Sequence, residues 1–392
     1  MDAQGLLQPP HGRCRDSSAM HHRHTQFLPG QTWTDTHGQP IHAHGGGVLY
    51  HEGTYWWFGE HKVAGPDGNR AMVGVHVYAS EDLLNWRDAG IALSVDERPD
   101  SEIEKGCIIE RPKVLYNART HRFVMWFHLE PKSAGMSYDG ARSGVAVAER
   151  PEGPYRFLHS LRPNAGMWPE NVQEADKAPL SAPEQVELAR LELGGAPVPW
   201  YPRNRVYRRD LVSGQMARDM TLFLDVDGRA YHLYASENNG TLHVSLLDAT
   251  FTRPAGRYVR VFPGRFHEAP ALMRWNDRYW LFSSDCTGWA PNTARLSSAP
   301  QLWGPWTEHG NPCLGTGAQI ANSFASQPTF VLPVQGRGDA FVYMADRWCP
   351  QNPIDGRYVW LPVRFRHGLP ILEWCDAWSL DVFASAGAVV DE

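Results

Sequence analysis

The chain has 392 residues, 42% of them hydrophobic, and a formal net charge of -6, which is enough apolar material for one large core or two ordinary ones. Charged residues are interspersed, and no apolar run approaches the ~18 residues of a membrane helix or forms a signal-peptide core at the N-terminus. We therefore expect a soluble protein, cytoplasmic as written, with no nucleic-acid or membrane partner. The sequence does not indicate its oligomeric state.

The predicted elements begin after residue 30, because residues 1–30 are polar, His-rich and aperiodic and are interpreted as a disordered or loosely attached arm. Five segments follow in which an apolar run, a polar turn and an aromatic-rich run succeed one another, a pattern that predicts a β-hairpin each time. They are GGVLYHEGTYWWFGE, PKVLYNARTHRFVMWFHLE, MTLFLDVDGRAYHLYASE, PALMRWNDRYWLFSSD and PTFVLPVQGRGDAFVYMADRW.

Further strand-like runs, such as VGVHVYASEDLLNW and TLHVSLLD, bring each unit to about four strands. Repeated four-stranded units are typical of β-propeller blades. The sequence therefore predicts an all-β fold, a single five-bladed propeller over residues 31–385. A Pro-rich insertion at about 159–216, with a helix at 183–193, separates the second and third units and is either a lid or a decoration.

Each hairpin is preceded by a polar residue. Because the inner strand of every blade lines the propeller axis, these five positions should converge on one small space: His44, Glu110, Asp219, Glu268 and Gln327. The glycines at 45–47 indicate close approach of a substrate or of neighbouring backbone, or simple relief of crowding at the axis.

Three of the converging residues are carboxylates. Acid-catalysed sugar hydrolysis needs two such groups, one kept protonated for the leaving group and one ionised. Like-charge repulsion within a cluster raises the pKa of one member and so supplies the acid. A single carboxylate at a strand entrance is usually solvated or holds a turn, but three at one repeat position favour a catalytic function.

The motifs AHGGGVLYHEGTYWWFGEHK, IERPKVLYN, RDMTLF, HEAPALM, CTGWAPN and FASQPTFVLP, which together span about residues 31–380, resemble glycoside hydrolase family 43, in particular its exo-β-1,3-galactanase-like branch. The resemblance implies that Glu268 is the general acid and that Asp219 orients it and tunes its pKa. Where the broad family has an Asp base in the first blade, this chain has two histidines, so Gln327 and Glu110 are both candidates for handling the water.

The same resemblance implies a set of sugar-contacting residues, each of which could instead have a purely structural role: Glu60, Glu237, Asn239, Thr287 and Trp289. No cofactor is required and no metal ligand is assigned. A structural cation on the axis is an alternative use of His42 and His44, although a satisfied buried imidazole is favoured.

We therefore expect an inverting, exo-acting glycoside hydrolase that cleaves terminal β-galactosides, with β-1,3-linked galactan or galacto-oligosaccharides as substrates. Two alternatives stay open. One is a β-xylosidase or α-L-arabinofuranosidase of the same family, and the other is a carbohydrate-binding propeller without turnover, motivated by the missing first-blade Asp.

Overall fold

The computed structural model describes residues 23–65, 67–135, 138–190 and 206–384, without the side chains of 187–190. The described chain is built almost entirely of antiparallel sheets, as the sequence predicts. Among the described helices, none is long and apolar enough to cross a membrane. Most of the predicted N-terminal arm, residues 1–22, lies outside the described residues.

The five predicted hairpins all form, and each pairs the apolar run with the aromatic run that follows it. The first two sheets are regular four-stranded meanders in chain order. Their strands are β1 (His44–His51), β2 (Thr54–Lys62), β3 (Met72–Ser80) and β4 (Arg87–Ser94), then β5 (Ile108–Asn117), β6 (Arg122–Glu130), β7 (Arg142–Ala148) and β8 (Arg156–Leu161).

The next three sheets repeat this order. Their strands are β9 (Met220–Leu224), β10 (Ala230–Ser236), β11 (Thr241–Leu247) and β12 (Pro254–Val261), then β13 (Glu268–Trp275), β14 (Arg278–Ser284), β15 (Arg295–Ala299) and β16 (Thr307–Gly310), and finally β18 (Gln327–Pro333), β19 (Phe341–Arg347) and β20 (Arg357–Pro362).

The prediction of five blades is wrong, because the described residues form six sheets and, counted by sheets, a six-bladed propeller. The sixth sheet is small and has the order β17-β22-β21, with β17 (Cys313–Leu314) parallel to β22 (Leu369–Glu373) and β21 (Arg364–Arg366) at its edge. The sequence pattern missed it because its strands are two to five residues long and its parallel pair joins distant parts of the chain.

The core lies between the sheets. The inner strands β1, β5, β9, β13 and β18 contact one another in sequence around the axis, and β18 also contacts β1. Apolar clusters fill the spaces between neighbouring sheets, and one of them joins the first sheet to β18–β20. The short sixth sheet contributes the buried Cys313 and Leu372 to the cluster between β13–β15 and β18–β20.

The two ends of the described chain meet beside this closure. Phe27 pairs with Trp378 through backbone hydrogen bonds of 2.7 and 3.1 Å, and the two rings stack at 4.0 Å between centroids. Phe27 is 1% exposed, so this end of the predicted arm is packed into the propeller.

The insertion between β8 and β9 contains α1 (Ala182–Arg190), which overlaps the helix predicted at 183–193, and α2 (Val206–Arg209). A third helix, α3 (Gly317–Ala321), precedes β18. Residues 191–193 of the predicted helix lie outside the described residues. The backbone of Glu170 donates to Tyr258 O at 2.9 Å, so the described insertion runs along β12, the outer strand of the third sheet.

Candidate active site

A pocket opens on the axis where the inner strands begin. Its volume is about 240 Å³, below the roughly 300–1,000 Å³ of sites that take drug-sized ligands, so it suits a single sugar ring better than a long chain. The pocket is lined by Glu60, Glu110, Arg111, His128, Tyr138, Arg218, Asp219, Asn239, Glu268, Gly288, Trp289, Gln327 and Trp348.

Backbone bulges position two of the carboxylates. The pairing of β5 with β6 shifts register directly after Glu110, where Arg111 has a φ of 56°. The pairing of β13 with β14 shifts directly after Glu268, where Ala269 has a φ of 51°. Bulges re-aim side chains at the rims of sheets, so the repeat position found in the sequence has a common backbone cause.

Glu268 has the electrostatics of a general acid. Burial, and then the negative charge of Asp219, raise the pKa of Glu268 to about 8 despite the opposing charge of Arg111. Asp219 Oδ2 accepts a 3.0 Å hydrogen bond from the backbone N–H of Ala269, and Asn239 Nδ2 donates to Glu268 Oε1 at 2.6 Å. A carboxyl group with this pKa is mostly protonated at neutral pH and can protonate a leaving group.

Arg111 joins the acid side of the pocket to the opposite wall. Its Nε and Nη2 donate to the two carboxylate oxygens of Asp219 at 3.2 and 2.8 Å. Its Nη2 also donates to Gln327 Oε1 at 2.6 Å, and its Cζ lies 5.2 Å from the centroid of the Trp348 ring. A buried guanidinium with this fork geometry fixes the carboxylate and the amide relative to each other.

The hydrogen bonds of Gln327 determine how its amide is oriented. Its Oε1 accepts from Arg111 and, at 2.8 Å, from Trp348 Nε1, whereas its Nε2 donates to Ser284 Oγ at 3.0 Å. Two donors on the oxygen favour the ordinary amide, because an imidic tautomer would direct an O–H proton at them. This pattern makes Gln327 suited to position a water molecule and poorly suited to remove its proton.

Glu110 belongs to a buried chain of charges with His128 and Glu130. His128 Nδ1 lies 2.9 Å from Glu110 Oε2 and its Nε2 lies 2.8 Å from Glu130 Oε1. Burial opposes these charges, but the two carboxylates raise the pKa of His128 to about 10 and His128 lowers the pKa of Glu110 to about 2. Tyr138 also donates to Glu110 Oε1 at 2.9 Å, so Glu110 is an ionised carboxylate at neutral pH.

Glu60 lies at the end of β2 and is paired with Lys62. Its Oε1 also accepts from the backbone N–H of Arg111 at 3.1 Å, and burial raises its pKa. The Glu60 carboxyl group thus forms part of the pocket wall. Some of its hydrogen-bonding capacity is already taken by Lys62 and the backbone of Arg111.

Seven of the nine predicted site residues line the pocket, and two do not. Glu237 is 1% exposed, and both its oxygens are bound by Arg260 at 2.5 and 2.8 Å. Thr287 donates to Ala290 O at 2.6 Å within its own loop. Trp289, in contrast, is 42% exposed and meets the Trp348 ring edge-on at 5.8 Å.

His44 and the three glycines that follow it do not line the pocket, although they occupy the same repeat position in the sequence. Burial lowers the pKa of His44 to about 3, so its ring is neutral. A Cβ on Gly46 would overlap the carbonyl oxygen of Phe58, and a Cβ on Gly47 would lie 2.5 Å from the Lys113 side chain. These glycines therefore make room for close packing of neighbouring parts of the chain, which is one of the two close approaches that the sequence left open. They do not make room for the substrate, because they do not line the pocket.

Sequence reasoning missed several pocket residues. Arg111 and Arg218 stand beside Glu110 and Asp219 inside the recognised motifs, and Trp348 ends the fifth hairpin segment, so adjacency was the available signal. His128 and Tyr138 carry no comparable signal, because only the fold brings them to Glu110.

The described residues contain one group of three side chains with ligand atoms within 4.8 Å of one another, Glu110, His128 and Asp219. Both ring nitrogens of His128 are bonded to carboxylates, and Asp219 is held by Arg111. A metal ion would have to displace these partners, so the chemistry of the donor set fits a hydrogen-bonded network better than an ion.

Comparison with known proteins identifies the family. The model for glycosyl hydrolases family 43 matches residues 196–368. A β-1,3-galactosidase of that family, solved with galactodeoxynojirimycin, is 44% identical with a TM-score of 0.82, covering 90% of this chain and 100% of that one. The chain belongs to glycoside hydrolase family 43. The resemblance read from the sequence motifs is confirmed.

The chain is also similar to two exo-β-1,3-galactanases of known structure. An exo-β-1,3-galactanase from Phanerochaete chrysosporium, solved with β-1,3-galactotriose, is 31% identical over 92% of this chain and 69% of that one, with a TM-score of 0.71. An exo-β-1,3-galactanase from Clostridium thermocellum is 33% identical over 90% of this chain and 66% of that one, also with a TM-score of 0.71. A comparison with curated protein sequences gives no match.

Proposed function

We propose that this family 43 protein is an inverting, exo-acting glycoside hydrolase that removes terminal β-galactosyl units from β-1,3-linked galactan or galacto-oligosaccharides. The observation that carries the proposal is the Glu268 carboxyl, whose pKa is raised to about 8 beside Asp219 in a pocket the size of one sugar. The names of the related enzymes support the choice of β-1,3-galactosides.

In the proposed reaction Glu268 protonates the glycosidic oxygen as the bond breaks. Asp219 raises the pKa of Glu268 through its charge and contacts the backbone next to it. A water molecule held by Gln327 and by the ionised Glu110 attacks the opposite face of the sugar and loses a proton to the Glu110 carboxylate, which balances the proton that Glu268 gives to the leaving oxygen. Inversion requires the acid and the water-handling group to stand roughly 6.5–9.5 Å apart, which leaves room for that water.

Binding of the terminal sugar is proposed to use three further groups of the pocket. Glu60 offers carboxylate oxygens to sugar hydroxyls, and Trp289 offers an exposed indole on which a sugar ring can stack. The buried Asn239 Oδ1 has no hydrogen-bond partner within the described parts of the chain, so a hydroxyl group there would satisfy it. Proton transfer by side chains suffices for this chemistry, and the proposal includes no cofactor.

The test is a proton NMR time course of purified protein with β-1,3-galactobiose and, in parallel, xylobiose and an α-L-arabinofuranoside. We expect α-galactose to appear first from galactobiose and to mutarotate afterwards. The matched variant Glu268→Gln should lose galactobiose cleavage but keep activity on β-galactosyl fluoride, whose leaving group needs no proton.

Release of β-galactose first would contradict inversion. Cleavage of only xylobiose or the arabinofuranoside would replace the galactoside assignment with the corresponding family activity. Sugar binding without turnover on all three substrates would contradict the hydrolase and favour a binding propeller.

A further inference from the structure

Residues 237–239, between β10 and β11, form a strained turn that we call the Asn239 turn. Its three residues, Glu237, Asn238 and Asn239, have φ values of 54°, 56° and 65°, which is the left-handed region that such residues rarely adopt in succession. Strained backbone persists only where surrounding contacts impose it, and it concentrates at functional sites. The last residue of this turn donates to Glu268 Oε1 at 2.6 Å.

The contacts that impose the turn converge on Glu237. Arg260 Nε and Nη2 bind its two carboxylate oxygens at 2.5 and 2.8 Å, and His243 Nε2 lies 3.0 Å from Oε1. Although burial opposes ionisation, Arg260 and His243 lower the pKa of Glu237 to about 2. A buried, fully paired carboxylate at the first residue of the turn fixes its backbone.

The insertion reaches the same anchor from outside the sheet. Tyr207 of α2 places its ring 4.2 Å from Arg260 Cζ, and Arg209 Nη2 lies 3.5 Å from Asn238 Oδ1. None of the described insertion residues lines the pocket. The insertion therefore has contact with the support of the turn and no described contact with the substrate space.

We propose that Glu237 is a positioning residue that, with Arg260 and Tyr207, carries support from the insertion through Asn239 to the Glu268 carboxyl. The inference rests on the proposed function for its catalytic meaning. It replaces the sugar contact expected for Glu237 and makes the described part of the insertion around α2 a buttress of the general acid.

The chemical effect of Asn239 is to select which oxygen of Glu268 carries the proton. The carbonyl oxygen of a protonated carboxyl is its better acceptor of an amide N–H, so the bond from Asn239 to Oε1 favours the proton on Oε2. After the proton has been transferred, the same bond is to a carboxylate and is stronger. Asn239 therefore eases proton release, and its loss should raise the pKa of Glu268.

The experiment is a carbon-13 NMR titration of the full chain labelled at the glutamate carboxyl carbons, with the Glu268 signal assigned by its absence in Glu268→Gln. Asn239→Ala should raise the pKa of Glu268 by about one unit. Glu237→Gln should give a similar rise, and the double variant should add little to either. Tyr207→Leu, which keeps the Glu237 ion pair and tests the insertion if Glu237→Gln does not fold, should give a smaller rise.

Glu170→Gln is the matched control, because it removes another Glu–Arg pair between the insertion and β12, with Arg257 at 2.5 and 3.0 Å, at the surface. It should leave the pKa of Glu268 unchanged. An unchanged pKa in Glu237→Gln or Tyr207→Leu, with a shift in Asn239→Ala, would overturn the buttress, and no shift in Asn239→Ala would overturn the chain at its last link. Because the titration needs no turnover, failure of β-galactoside hydrolysis would be a separate result.

Discussion

Replacing Asp219 by asparagine removes the negative charge that helps to keep Glu268 protonated. Burial of Glu268 is unchanged by this substitution, and Arg111 loses its carboxylate partner while its positive charge remains. Both consequences of Asp219→Asn favour the ionised form of Glu268. The pKa of Glu268 should therefore fall from its wild-type value of about 8.

A neighbouring charge shifts a pKa by about one to three units, and a shift of one unit gives a conservative prediction. With a fall of one unit, the protonated fraction of Glu268 drops about twofold at pH 7, about fivefold at pH 8 and about ninefold at pH 9. At pH 6 the fraction changes by only about a tenth. A loss of orientation would add a factor that does not depend on pH.

The assay is the pH dependence of kcat/KM for β-1,3-galactobiose between pH 5 and pH 10. We expect the alkaline limb of the profile to move about one unit toward acid in Asp219→Asn. Asp227→Asn, at the other end of the same hairpin and paired with Arg229, should leave that limb in place. An unchanged or more alkaline limb in Asp219→Asn would refute the assignment of the raised pKa to Asp219.

Three further predictions concern stability, measured by urea unfolding. Gly46→Ala should lower the free energy of unfolding by about 2 kcal/mol or more, because its Cβ overlaps the Phe58 carbonyl. The control Gly338→Ala, whose Cβ meets nothing within 4 Å, should stay within about 0.5 kcal/mol of the wild type. Equal effects of the two substitutions would contradict the close packing at Gly46. Phe27→Ala should cost about 3 kcal/mol, and a loss under about 1 kcal/mol would show that the N-terminal pairing does not secure the ring. The pKa of His128 is raised from 6.5 to about 10, so the stability that His128 contributes should be complete below about pH 6.5 and lost as the pH rises through 10. His128→Asn should therefore flatten the pH dependence of the free energy of unfolding between these values. An identical slope in the variant would contradict the buried charge chain.

The hairpins were predictable because their determinants are local. Each contains two alternating runs and a turn of polar and glycine residues, and the pairing closes between neighbours in the chain. The sixth sheet was not predictable, because Cys313 pairs in parallel with Leu372 and both strands are too short to show periodicity. The pairing depends on the packing of the larger sheets around the axis, which brings these two distant segments together.

Most of the residues predicted for the site from the sequence line one pocket. Glu110, Asp219, Glu268 and Gln327 share one repeat position, and a ring of repeats brings equivalent positions together. Glu237 and Glu60 both stand near the end of an aromatic strand, but only Glu60 lines the pocket. Their partners differ, because Glu237 is held by Arg260 and His243, whereas Glu60 is paired with Lys62.

By itself, the sequence determined the family, the all-β hairpin repeat and the polar residue that precedes each hairpin. Each of these depends only on short stretches of the chain. The tertiary structure decided the number of sheets, the Arg111 link between Asp219 and Gln327, and the protonation states of Glu268 and Glu110. The physical reason is that hydrogen-bonding partners and burial at the axis come from several sheets at once. Arg111 and Asp219, whose charges act on the pKa of Glu268, stand at the second and third sheets and reach Glu268 only after the ring has closed.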